Sequence, residues 1–228
     1  RGLKVPFNWD YSLLAELARI NQDPRTQYPV VEVYAADKYS LVGSGRTAST
    51  LYERRRPIED HIEEAHRNGI RFEYLWNAST LGGREWDPQL QDQAYQEAAR
   101  LIKAGVDGFT VSNPLLCLKL KAWFPGIALT SSVNNHLDSV DRISQWLTYH
   151  SVDRIQLDHR SSRNFSLIRK VHASFPSHPI IVLVNEACLP DCVLQPYHQE
   201  HCANASRHGA DYDAPDLCRI LCTSAKLK

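Results

Sequence analysis

Five of the six cysteines, Cys188, Cys192, Cys202, Cys218 and Cys222, stand in the last 41 residues of the chain. Thiolates are soft donors, suited to iron–sulfur clusters and to zinc. A disulfide framework would spread its cysteines along the fold, so this clustering points to a metal site. Two pairs are separated by three residues, Cys188-Leu-Pro-Asp-Cys192 and Cys218-Arg-Ile-Leu-Cys222. Structural zinc usually takes knuckles with two intervening residues. The wider spacing therefore favours an iron–sulfur cluster, with unligated or oxidised thiols and zinc as the alternatives. Cys117 lies apart, within the apolar run Leu115–Leu120. It reads as a small buried hydrophobe.

A second set of residues could do acid–base chemistry. Short apolar runs end again and again in polar side chains. Asn8 and Asp10 follow the first run, and Asp37, Lys38 and Gly43-Ser44-Gly45-Arg46 follow the second. Asn77, then Asn113, then Ser132 with Asn134, Asn135 and His136 follow the next three. Asp158-His159-Arg160 and Asn185-Glu186 follow the last two. An imidazole exchanges protons near neutral pH, so His159 is the candidate for proton transfer, with Asp158 and Glu186 as catalytic carboxylates. Glu186 could equally support the metal site from outside. Asn77, Asn113, Asn135 and His136 are candidates for orienting a polar substrate, and Arg46 and Arg160 for holding a carboxylate. Gly43-Ser44-Gly45 reads as a small anion-holding loop. Each position also has a structural reading, because Asn and Asp commonly cap helices or close turns.

Something must bring those ends together. The runs Leu3–Phe7, Val30–Tyr34, Arg71–Trp76, Gly108–Val111, Ile127–Thr130, Arg154–Leu157 and Ile180–Val184 suit strands buried on both faces. Helical spacing lies between them: Ile58, Ile62 and Ala65 after Pro57; Leu90, Ala94, Glu97 and Leu101; Val140, Ile143 and Leu147 after Asp138-Ser139; Phe165, Ile168 and Val171 after Asn164. Alternating strands and helices imply parallel strands with right-handed crossovers. The expectation is a (β/α)8-type TIM barrel, incomplete or with an irregular last strand. Residues 1–187 form the barrel core in this reading. Residues 188–228 form a cysteine-rich segment that caps the mouth and binds the cluster. A closed barrel carries its chemistry at the C-terminal ends of its strands.

Composition excludes several classes. Lys plus Arg and Asp plus Glu both number 26, interspersed, so no basic stripe marks a nucleic-acid footprint. No apolar stretch approaches the roughly 18 residues that span a membrane. The expected compartment is the cytoplasm, and no Gly-x-Gly-x-x-Gly turn signals a dinucleotide.

The strand ending in Val184-Asn185-Glu186-Ala187-Cys188, followed by Cys192, Cys202-Ala-Asn-Ala-Ser206 and Asp216-Leu217-Cys218, resembles the collagenase-like protease superfamily, peptidase family U32. Lys4-Val-Pro-Phe-Asn8 and Gly43-Ser-Gly-Arg46 are compatible with it. The resemblance implies a barrel with a four-iron cluster held by four cysteines. Cys188, Cys192, Cys202 and Cys218 match the order of ligands, and Cys222 leaves a second set open. It also implies relatives that hydroxylate small molecules without oxygen. The leading expectation is an oxidoreductase of that hydroxylase-like kind, acting on a small polar carboxylate-bearing molecule. A protein partner supplying electrons or forming a heterodimer would go with it. The alternatives are a non-catalytic binding or assembly protein with a structural cluster, and a peptide hydrolase. Neither a Gly-x-Ser-x-Gly elbow nor a metalloprotease motif is present.

Overall fold

The computed structural model describes residues 1–38, 40–46, 51, 53–185, 188 and 192–207. Seven strands alternate with helices. They are β1 (Leu3–Pro6), β2 (Val30–Ala35), β3 (Arg71–Trp76), β4 (Gly108–Val111), β5 (Ala128–Ser131), β6 (Ile155–Gln156) and β7 (Ile180–Ile181). The helices are α1 (Tyr11–Gln22), α2 (Ile58–Arg67), α3 (Pro88–Lys103), α4 (Pro114–Trp123), α5 (Val140–His150), α6 (Phe165–Ser174) and α7 (Gln195–Ala205). All strand pairs are parallel. β1 to β5 make one sheet in chain order, β6 pairs with β7, and the Thr130–Arg154 bridge joins the two groups. Among the described residues no pairing joins β7 to β1, and there is no eighth strand. The architecture is that of a TIM barrel.

The helices form for local reasons. Asn113 caps α4, accepting from the backbone of Leu115 and Leu116, and Pro114 occupies its first turn. Ser139 caps α5 and Asn164 caps α6. Gly69 and Gly105, two residues past the last residues of α2 and α3, take positive φ as helix-terminating glycines do. Burial follows the helical period: Ile58, Ile62 and Ala65 on α2, and Leu90, Ala94, Ala98 and Leu101 on α3. No described helix is long and apolar enough to cross a membrane.

The strands differ from the expectation of apolar residues on both faces. Val33, Phe72, Tyr74, Trp76, Phe109, Val111 and Leu129 point outward into one core with Ile58, Ile62, Leu101, Leu116 and Leu120 of the helices. The inner face is charged. Lys4 of β1 contacts both Glu32 of β2 and Glu73 of β3. Arg154, just before β6, reaches across to Glu32 at 2.6 Å and Glu73 at 3.2 Å. Thr130 of β5 donates to Glu73. Contacts between strands so far apart in the sheet can only cross its concave side. Both carboxylates are fully buried. Burial pushes the Glu32 carboxyl up, but the adjacent Lys4 and Arg154 cations more than offset it and hold the value at about 2.

Candidate functional site

The C-terminal ends of the strands gather most of the polar side chains singled out in the sequence. At the end of β6, Asp158 is wholly buried and collects four donors. Its own 3-10 turn supplies the Arg160 backbone N–H at 2.8 Å. The Arg160 guanidinium binds both its oxygens, at 2.9 and 3.2 Å, and His136 Nδ1 lies 2.8 Å from Oδ2. Burial raises the Asp158 carboxyl, yet the Arg160 and His136 hydrogen bonds outweigh it and hold the value at about 2. A carboxylate so saturated orients its neighbours and does not accept a proton.

His159 Nδ1 stands 3.7 Å from the same carboxylate. Its side chain is only 7% exposed. Among the described residues its Nε2 is buried with no hydrogen-bond partner, which is costly for an imidazole unless something else binds there.

The end of β5 supplies the next group. Ser132, Asn134, Asn135 and His136 form a capped 3-10 turn, with His136 held at φ 51°, a conformation rare outside glycine. Asn135 accepts from Ser132 N at 2.7 Å and donates to the Ser112 carbonyl at 2.7 Å. Asn77, at the end of β3, accepts from Gly45 N at 3.0 Å. Its carbonyl takes Ser112 Oγ–H and Asn134 Nδ2–H. Asn113 is the cap of α4, with its amide 3.5 Å from Glu85. Asn77, Asn113 and Asn135 thus bind one another's loops together, each through its own side chain. Arg46 is exposed at the rim, within electrostatic reach of Tyr34. Glu186 lies outside the described residues.

The Gly43-Ser44-Gly45 loop does not form an anion cradle. Its amides already donate to Ser40 Oγ, Ser206 Oγ and Asn77 Oδ1. Its glycines answer to close packing instead. A Cβ on Gly43, whose φ is +81°, would lie 2.6 Å from Ser206 Oγ, and one on Gly45 would lie 2.5 Å from Asn134 Nδ2.

Helix α7, with Ser206 and Arg207 directly after it, touches this rim at three points and has no counterpart among the helices expected from the sequence. Gln199 contacts His136 and Asn134, Ser206 contacts Ser44, and Arg207 donates to the Leu81 carbonyl. Gln199 lies in a polar stretch between His198 and His201 with no helical apolar period, so nothing in the local pattern marks it. The charged lumen had a signal, the strict alternation in Val31-Glu32-Val33 and Phe72-Glu73-Tyr74.

The thiols are distributed around α7. Cys188 is exposed, Cys192 is half-buried just before the helix, and Cys202 is buried near its end beside Ala203 and Ala205. Among the described residues no three His, Cys, Asp or Glu side chains converge as a metal site. Cys218 and Cys222 lie outside those residues. The donor chemistry suits a cluster, but the described thiols alone do not make one.

No family model matches the chain. Over 159 residues it is 30% identical to the uncharacterized protease MJ1657 of Methanocaldococcus jannaschii, a stretch covering 69% of this chain and 46% of that protein. The chain therefore spans less than half the length of this curated relative. The solved structure of the U32 peptidase Mk0906 superposes with a TM-score of 0.71 at 15% identity, over 93% of this chain and 80% of that one. An O-GlcNAc hydrolase of Thermobaculum terrenum shares the fold more loosely, with a TM-score of 0.52 at 10% identity over 86% of this chain and 49% of that one. The sequence match to an archaeal protein named a protease and the barrel shared with a U32 peptidase both support the resemblance to the U32, collagenase-like peptidase family.

Proposed function

We propose that this barrel is the catalytic part of an enzyme that hydrolyses peptide bonds at its mouth. The supporting observation is Asp158, buried at the end of β6, with His136, Arg160 and His159 gathered around it, the last with an Nε2 that has no hydrogen-bond partner among the described residues. The relative's printed name, a protease, agrees with this reading. In it, His159 Nε2 takes a proton from a water molecule as the water oxygen bonds to the peptide carbonyl carbon. The same proton then passes to the amide nitrogen as the carbon–nitrogen bond breaks. His136 and Arg160 face the negative charge that develops on the carbonyl oxygen. Arg46 holds a carboxylate of the substrate. Release of fluorescent peptides from labelled casein tests it. The wild type should release them and His159→Gln should not, with its melting temperature unchanged. Wild-type protein that leaves both casein and a labelled peptide library intact would overturn the hydrolase.

A second reading keeps the oxidoreductase, acting without oxygen on a small carboxylate-bearing molecule with electrons from a protein partner in the cytoplasm. Its support is Cys202, buried on the helix that touches the mouth. A 4Fe-4S cluster on four of the five C-terminal thiols would supply one-electron chemistry, while the mouth residues bind and orient the substrate. Anaerobically purified protein should then carry about four irons per chain with matching labile sulfide, lost in Cys202→Ser. Stoichiometric zinc without sulfide would rule the cluster out.

A further inference from the structure

Four side chains and one backbone carbonyl form a chain of hydrogen bonds whose direction is fixed at one end. The Asn77 carbonyl can only accept, so the Asn134 group 3.1 Å from it is the amide Nδ2. Asn134 Oδ1 therefore faces Gln199, and the Gln199 group 3.3 Å away must be its Nε2. That leaves Gln199 Oε1, an acceptor only, 3.0 Å from His136 Nε2. His136 Nε2 must then donate. Its Nδ1, 2.8 Å from Asp158 Oδ2, faces an acceptor that is ionised at any ordinary pH. Reversing either amide would set two oxygens or two donors against each other.

We infer that Gln199 is a positioning residue that holds His136 as a two-donor imidazolium, so that the seating of α7 on the barrel sets the charge at the mouth. Asp158 alone would accept from Nδ1 and leave Nε2 free to be an acceptor. The second contact, contributed by α7, removes that option. Among the described residues, Arg142, Asp138, Arg160 and His159 also stand beside the His136–Asp158 pair. Arg142 binds the His136 carbonyl at 3.2 Å and Asp138 at 3.2 Å, and Arg160 is engaged by Asp158, so none competes for Nε2. The consequence is a link between the cysteine-bearing segment and the rim that needs no motion of the barrel. Loosening α7 frees Nε2, and the imidazole can then become the neutral tautomer that keeps its proton on Nδ1, facing Asp158. This holds whether the mouth hydrolyses peptides or not.

The test reads the ring nitrogens directly. Imidazole nitrogen-15 spectra near neutral pH, with His136 assigned by its loss in His136→Gln, should show both nitrogens protonated in the wild type. Gln199→Leu should give a neutral imidazole with one bare nitrogen, and Gln199→Glu, which keeps the acceptor, should restore the two-donor signature. Gly45→Ala approaches the chain from its root. The added methyl meets Asn134 Nδ2 at 2.5 Å, so the variant should mimic Gln199→Leu without altering α7. A bare nitrogen on wild-type His136 would overturn the inference. So would an unchanged two-donor signature in both Gln199→Leu and Gly45→Ala.

Discussion

Gly108 leaves empty the space that the Arg154 guanidinium fills: a Cβ built on Gly108 would lie 2.8 Å from Arg154 Nη2 and 2.8 Å from the Ala128 carbonyl. Arg154 can therefore lie flat across the lumen and bind Glu32 and Glu73 at once. Gly108→Ala should push the guanidinium away and leave buried carboxylates short of a partner. Breaking a buried pair from one side costs about 3–5 kcal/mol. Urea unfolding should show a loss of that order. A loss of only a few tenths would mean the lumen has slack that the contacts do not suggest.

The two depressed carboxylates predict the acid limb of stability. Asp158 and Glu32 are both held at about 2, below ordinary values of 3.8 and 4.5. A carboxyl whose folded value is depressed stabilises the fold fully above its unfolded value, and that contribution is lost as pH falls through the folded value. Stability should thus decline steadily from about pH 4.5 to pH 2. Asp158→Asn should be less stable near neutrality and show a shallower decline over this window. Denaturation midpoints at a series of pH values measure both.

His61 sits on α2 among Phe7, Trp9 and Tyr11, with ring centroids 5.7, 5.2 and 4.8 Å away. Both its nitrogens are buried without a hydrogen-bond partner among the described residues. Burial is the main reason its ring is pushed towards the neutral form. Replacing an unsatisfied polar ring by an apolar one of similar shape removes a desolvation cost of about 1–3 kcal/mol. His61→Phe should raise the melting temperature by about 2–4 °C per kcal/mol regained. A lower melting temperature would show that His61 has a polar partner in solution, such as a water.

Cys117 offers a contrast with the C-terminal thiols. Burial on α4 pushes its thiol up to about 12. The thiolate is the reactive form, so native Cys117 should resist maleimide near neutral pH. The exposed Cys188 should label readily in metal-stripped protein. Peptide mass spectrometry before and after unfolding separates the two, and rapid native labelling of Cys117 would contradict its buried placement.

Much of the barrel was legible before any coordinates because each element carries its own signal. Arg71–Trp76 and Gly108–Val111 were read at the bounds they adopt. The α2 face of Ile58, Ile62 and Ala65 is buried as its spacing requires. Burial of an apolar face is a local demand, repeated every two or 3.6 residues, and it survives in a linear string. The lumen departs from the expectation of apolar strand faces because Glu32, Glu73 and Arg154 find their partners only across the sheet. Only strand register places Lys4 beside Glu32 and brings Arg154 across to Glu73. α7 was missed because its seating depends on individual contacts and not on an apolar stripe. Gln199 meets His136 across 63 residues of chain, and Ser206 meets Ser44 across 162. The sequence alone determined which residues end the strands and could exchange protons. The tertiary structure decided which of those side chains are saturated, as Asp158 is, and which keep an unpaired atom, as His159 does. Hydrogen-bond partners are chosen by distance in space, and that distance is set by the order and register of the strands, not by spacing along the chain.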